Sequence, residues 1–217
     1  MRSLLPLLIA LLATSCADPA CDGVPASLED GFRVYEGGWP VNRDADELAL
    51  GTWDATPPRV GDAIPPVVGM DQYGQEVAVA DFAGQGRWTV LMVVDTTDPL
   101  SGEVLEWLGD CDDPWTEHWS SDLVCEAVRL GRVGWVVLAQ TPPGCRAADQ
   151  RELADLAWSA APMKVPVVGD VDGRLSRWLG QGGPHALTLV DDALRLVVVA
   201  DDAAVMDAVG YDELGGS

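Results

Sequence analysis

"VLMVVDTTDPLSGEVLEWLGD", Val90 to Asp110, is the stretch whose reading decides the fold. Val90 to Val94 form a short, unbroken apolar run rich in β-branched side chains, the pattern of a strand buried on both faces. The polar turn that follows leads into Val104, Leu105 and Leu108 at helical spacing, with Ser101 placed to cap the helix and Glu103 in its first turn. A buried strand that runs through a tight turn into a helix is the repeating unit of α/β folds. Nothing between Asp95 and Glu103 is a cysteine or histidine, so the junction lacks redox chemistry and a strong nucleophile.

Working outward, the same alternation recurs. Upstream, "EVAVADF" (Glu76–Phe82) and "WTVLMVV" (Trp88–Val94) are strand candidates separated by a turn at Gly84 to Gly86. Downstream, an Asp-rich insertion, "DCDDPWTEHWSS" (Asp110–Ser121), precedes a helix from Asp122 to Leu130 and the strand "VGWVVLAQ" (Val133–Gln140). The helix "RAADQRELADLAWSA" (Arg146–Ala160), the strand "VPVVGD" (Val165–Asp170) and a short helical piece, "GRLSRWLG" (Gly173–Gly180), come next. Two strands joined by a turn, "HALTLVDD" and "LRLVVVAD", lead to a last helix over Ala203 to Val209. This order predicts an α/β sandwich with a mixed central β-sheet flanked by helices. One domain, residues 59–217 with an insertion near 110–121, accounts for the periodic sequence; residues 16–58, rich in Gly, Pro and Asp, read as a tether with an ordered patch around Phe32 to Trp39.

Charge narrows the function. Thirteen Lys plus Arg against 35 Asp plus Glu give a net charge of −22, which repels a phosphate backbone, so nucleic acid is excluded as a partner. No motif identifies a cofactor or a metal. "DVDGRLSRWLGQ" opens like a calcium loop, but Gln181 stands where the closing bidentate Glu belongs.

The N-terminus carries Arg2 and an apolar run from Leu4 to Ala13, too short to span a bilayer as a helix and suited to a signal peptide over residues 1–15. Its end, "LLATSC", resembles the lipobox of bacterial lipoproteins, with Ala13 in place of the usual Leu. The resemblance implies lipidation at Cys16, a membrane partner through that lipid, an envelope protein as a further candidate partner, and a location in the bacterial cell envelope. Export makes Cys21, Cys111, Cys125 and Cys145 an even set in an oxidising compartment, where structural disulfides are the default. Cys111 and Cys125 bracket the insertion and are the favoured pair, leaving Cys21 and Cys145 as a second pair or as free thiols.

The segments "VGDAIPPVVGMDQYGQEVAVADFAGQGRWTVLMVV" (Val60–Val94) and "VPVVGDVDGRLSRWLGQGGPHALTLVDDALRLVVV" (Val165–Val199) resemble the opening and closing patterns of the thioredoxin fold, in its redoxin and TlpA-like branch of exported thiol-disulfide proteins. The resemblance implies that chemistry sits at the N-terminus of the helix after the central strand, where unpaired N–H groups lower a cysteine pKa. Laid against a W-C-x-x-C motif, Asp98 falls at the nucleophilic cysteine and Ser101 at the resolving one; laid against the T-x-x-C of peroxidases, Ser101 takes the reactive position. Both sulfurs are missing, and Asp98 and Ser101 then read as helix caps.

Pro184 resembles the cis-proline that faces such sites, with His185 as the alternative occupant of that position. A competing register puts Pro142 and Cys145 of "TPPGCR" at the motif, which keeps Cys145 a candidate reactive thiol. Catalysis, if it survives, falls to a pair among Cys111, Cys125 and Cys145; otherwise the domain works by binding a protein or a small ligand. Trp107, Trp115 and Trp119 lie around the insertion and are candidates to line an apolar groove, Trp107 equally to fill the core.

Overall fold

A computed structural model describes residues 37–96, 98–111, 121–140, 148–170, 173–180 and 185–213. In chain order it holds β1 (Val68–Met70), β2 (Glu76–Ala78), β3 (Thr89–Asp95), α1 (Pro99–Asp110), α2 (Ser121–Arg129), β4 (Gly134–Gln140), α3 (Gln150–Ser159), β5 (Val167–Asp170), α4 (Arg174–Trp178), β6 (His185–Val190), β7 (Leu196–Val198) and α5 (Asp202–Glu213). Of the segment read as "EVAVADF", only β2 is strand; Val79–Phe82 turns into a 3-10 helix.

β3 is the central strand of a five-stranded sheet of order β5-β4-β3-β6-β7. β4 runs parallel beside it, from Thr89↔Gly134 to Asp95↔Gln140, and β5 runs parallel beside β4, from Val137↔Val167 to Gln140↔Asp170. On the other side β6 is antiparallel, from Thr89↔Val190 to Val94↔His185, and β7 is antiparallel to β6. β1 and β2 pair as a separate antiparallel hairpin.

The apolar run in β3 follows from burial on both faces. Val90, Met92 and Val94 point into a core shared with Val104, Leu105, Trp107 and Leu108 of α1, Val124 of α2, Leu153 of α3 and Val205 of α5. Leu91 and Val93 point the other way, into a core with Val77, Phe82, Leu175, Trp178 and Leu194. Trp107 is 1% exposed, which settles it as core; Trp115 and Trp119 lie outside the described residues.

The second core reaches into the stretch read as a tether. Trp39 is buried there, its Nε1 donating to Asp71 Oδ2 at 2.9 Å, and the Gly51 N–H donates to Ile64 O at 2.8 Å. Asp71 Oδ1 accepts from the N–H groups of Tyr73 and Gln75, so one buried carboxylate ties the β1–β2 turn to the N-terminal segment. Gln72 then ties that turn to the start of β5: its Nε2 donates to Val165 O and its Oε1 accepts from Val167 N, at 2.9 and 3.0 Å.

Candidate functional site

The β3–α1 junction is the position that the sequence marks. Pro99 has fixed φ and no N–H, which suits the first helical position, so α1 begins there and Asp98 becomes the N-cap. Asp98 thus holds the expected cap position without a capping bond, and the expectation is corrected at Ser101. The Asp98 carboxylate accepts no N–H from the first turn, and Ser101 lies inside the helix instead of capping it. The Ser101 hydroxyl turns back to the end of the strand, accepting from Asp95 N at 3.0 Å and donating to Asp98 Oδ2 at 3.4 Å. Backbone bonds from Asp98 N to Asp95 O and from Ser101 N to Asp98 O close the turn. Ser101 has no exposed surface. The buried hydroxyl is thus held between an amide and a carboxylate and helps to close the turn.

The register continues this edge across the sheet, with Asp95, Gln140 and Asp170 in a row at the C-terminal ends of β3, β4 and β5. The Asp170 carboxylate is buried and caps α4: Oδ1 accepts from Leu175 N at 3.1 Å, while Oδ2 accepts from Ser176 N at 3.2 Å and Ser176 Oγ at 3.0 Å. Burial pushes its pKa above the ordinary aspartate value of 3.8, and the donors from Leu175, Ser176 and Arg174 pull it down without cancelling that effect. His185 begins β6 opposite Val94, its side chain outside the described residues, as are Cys16, Cys21, Pro142, Cys145 and Pro184. The cis X–Pro bonds among the described residues precede Pro57 and Pro162. No group of three His, Cys, Asp or Glu side chains among the described residues is placed to hold a metal ion.

The favoured cysteine pair is bonded. Cys111, the residue after α1, is joined to Cys125 of α2 with Cα atoms 5.8 Å apart. Cys125 is fully buried and Cys111 half-buried in a left-handed conformation, φ 64°. Arg129 places Nη2 2.9 Å from Cys111 Sγ while its Nη1 pairs with Glu126 at 3.5 Å. At 1.5 Å rise per residue, the twelve residues of α1 set this bridge about 18 Å along the helix from the junction.

What decides the fold is the sheet: a central strand with parallel neighbours on one side, an antiparallel pair on the other, and the marked helix leaving its C-terminal end. The fold is thioredoxin-like. No family model matches the chain, and no curated protein matches it. Among solved structures, it is similar to the thioredoxin domain of a thiol-disulfide oxidoreductase from Bacteroides vulgatus, at 11% identity over 71% of this chain and 97% of that one, with a TM-score of 0.48. A conserved protein of unknown function from Bacteroides fragilis matches at 16% identity over 70% and 98%, with a TM-score of 0.49. A peroxidoxin from Mycobacterium tuberculosis matches at 19% over 73% and 96%, with a TM-score of 0.47. Among the described residues no helix is long and apolar enough to cross a membrane.

The opposite edge of this thioredoxin-like sheet holds a feature that the sequence reading missed. A cavity of about 570 Å³ lies where β3, β4 and β5 begin, walled by Trp39, Phe82, Trp135 and Met163 and by the cations Arg87, Arg129 and Lys164. Gly109, near the end of α1, also lines it, and a Cβ there would sit 2.6 Å from Ala161 O, so only glycine permits the close approach that shapes this wall. The three cations lie far apart in sequence and only the fold assembles them. The available signal was Lys164, the single lysine of an acidic chain.

Proposed function

We propose that the protein is an exported thioredoxin-like domain, held at the cell envelope by a lipid on Cys16, that works by binding an envelope protein or a small ligand and not by dithiol exchange at the β3–α1 junction. One observation carries the reading: the hydroxyl of Ser101, where the resemblance calls for a resolving cysteine, is buried and bonded to Asp95 N and Asp98 Oδ2. A turn closed in this way offers no group to a disulfide. The wild-type protein is expected to leave insulin disulfides intact in the presence of dithiothreitol, and an Asp98→Cys/Ser101→Cys variant to gain reductase activity because the helix N-terminus is still there to favour a thiolate. Wild-type turnover that disappears in Cys111→Ser or Cys145→Ala would overturn the binding reading. Replacing Cys16 by Ser is expected to move the protein from the membrane fraction to the soluble one, and retention would refute the anchor.

A second reading, thiol exchange by Cys111 and Cys125, is favoured by the Arg129 guanidinium beside the half-buried Cys111 sulfur, which would stabilise a thiolate when the bridge opens. It places the chemistry at the far end of α1, with Cys145 as a further candidate resolving thiol.

A further inference from the structure

We infer that the cavity at the N-terminal edge of the sheet binds a small amphipathic organic anion, a carboxylate or phosphate head on an apolar body. The inference rests on the binding reading above and names the class of ligand for it, while placing the site away from the β3–α1 junction.

Size permits it: about 570 Å³ falls within the several hundred cubic ångströms typical of small-molecule sites. Charge selects the head group. Acidic residues outnumber basic ones by 35 to 13 in the chain, yet among the described residues this lining contains Arg87, Arg129 and Lys164 and no Asp or Glu. Such a reversal in a strongly acidic protein concentrates positive potential in one concave place, where low-dielectric walls strengthen it.

Unsatisfied donors point the same way. Trp135 is 4% exposed and its Nε1 is buried without an acceptor, as is Nε of Arg87, among the described residues. Buried donors without partners are rare and costly, and the two residues that carry these both line the cavity. The Arg87 side chain is already held in place, since its Nη1 donates to Gly131 O. Arg129 is shared between Glu126 and Cys111 Sγ, whereas Lys164 makes no hydrogen bond or ion pair with a described residue. Arg87 and Lys164 are therefore the cations available to the head group.

The apolar body has its own place. A second cavity of about 350 Å³ adjoins the first through Trp39, Met163 and Lys164, and adds Tyr73 and Trp158. Trp158 is 80% exposed, an indole that helix α3 leaves in water beside this opening. Trp39 and Tyr73 pack with ring centroids 6.2 Å apart to form its floor. With Lys164 where the two cavities meet, a ligand laid across them presents its head to Arg87 and its body to the aromatic rings.

The test is a tryptophan-fluorescence titration of the full chain with octanoate and with octyl phosphate, using octanol and inorganic phosphate as single-feature controls. Saturable quenching by one or both anions is expected, with octanol and inorganic phosphate each weaker by about tenfold or more, the usual worth of a charge-assisted hydrogen bond or of a few buried methylenes. Which anion wins separates a carboxylate from a phosphate ligand. Lys164→Gln is expected to weaken binding by roughly three- to tenfold without moving the melting temperature, and 0.5 M salt to weaken it further. Arg87→Gln should weaken it at least as much; because that variant also loses the Gly131 bond, the exposed Lys164 decides. Equal binding of octanol, equal binding of inorganic phosphate, an unchanged Lys164→Gln affinity, or no saturation below about 10 mM would each overturn the inference, 10 mM being weaker than about 3 kcal/mol of binding. A flat titration would leave the insulin result standing, and insulin reduction by the wild type would leave the titration standing, so the two readings fail separately.

Discussion

The two ends of the central sheet differ in how their polar groups are settled. At the C-terminal edge each group named is paired within the protein: Ser101 with Asp95 and Asp98, and Asp170 with Leu175 and Ser176. At the N-terminal edge, Nε of Arg87 and Nε1 of Trp135 find no acceptor among the described residues, and Lys164 lines the same cavity. Among the described residues, the named groups at the C-terminal edge are bonded to one another, whereas the N-terminal edge holds two buried donors and a cation that are not.

The variant with the largest expected effect removes what both ends share. Trp107 packs edge-on against Trp135 at 6.0 Å beneath the cavity and belongs to the same core as Val94 and Val104 next to the junction. Trp107→Ala is expected to cost about 3–5 kcal/mol in urea denaturation; a loss below 1 kcal/mol would mean that the ends are not joined through this core. Next, Cys111→Ser/Cys125→Ser should lower stability by about 3 kcal/mol in the chain-entropy account, seen as a lower melting temperature, with the junction unaffected.

Ser101→Ala sharpens the comparison at the closed edge. It strips the Asp95 N–H of an acceptor and the Asp98 carboxylate of a donor, for an expected loss of about 1–3 kcal/mol in the same denaturation experiment. A neutral result would mean that the turn is held by its backbone bonds alone.

A smaller, pH-dependent effect belongs to Asp170. Its folded pKa lies above the unfolded value of 3.8, so the folded protein takes up the proton first as pH falls. Burying the charged form costs stability at neutral pH, and this cost is relieved as pH falls through the folded pKa toward 3.8. The stability of the wild type relative to the non-titrating Asp170→Asn variant should therefore improve on acidification from pH 7; a constant difference would refute the shift.

Most of the fold is legible in the sequence because burial on both faces leaves unbroken apolar runs. Val90–Val94, Val136–Ala139 and Val167–Val168 could hardly be anything but interior strands, and the α/β order follows from what separates them. The Cys111–Cys125 bridge is legible because the two cysteines bracket a short acidic loop. The start of α1 is misread at Ser101, although Pro99, best suited to the first helical position, already marks it. Trp39 is legible only as part of an ordered patch, not as core, because its burial depends on Asp71, 32 residues away, and no local period announces such a contact. The cavity is invisible for the same reason: Arg87, Arg129 and Lys164 meet only when three strands begin side by side.

The central claim is that exchange chemistry has left this thioredoxin-like fold. A free-thiol count by alkylation and intact mass, on the protein equilibrated in glutathione buffers from oxidising to reducing, tests it most directly. The account predicts that Cys111–Cys125 stays closed until the poise falls below about −300 mV, as structural bridges do. A pair that opens and closes between roughly −120 and −230 mV, the range of working exchange proteins, would contradict it.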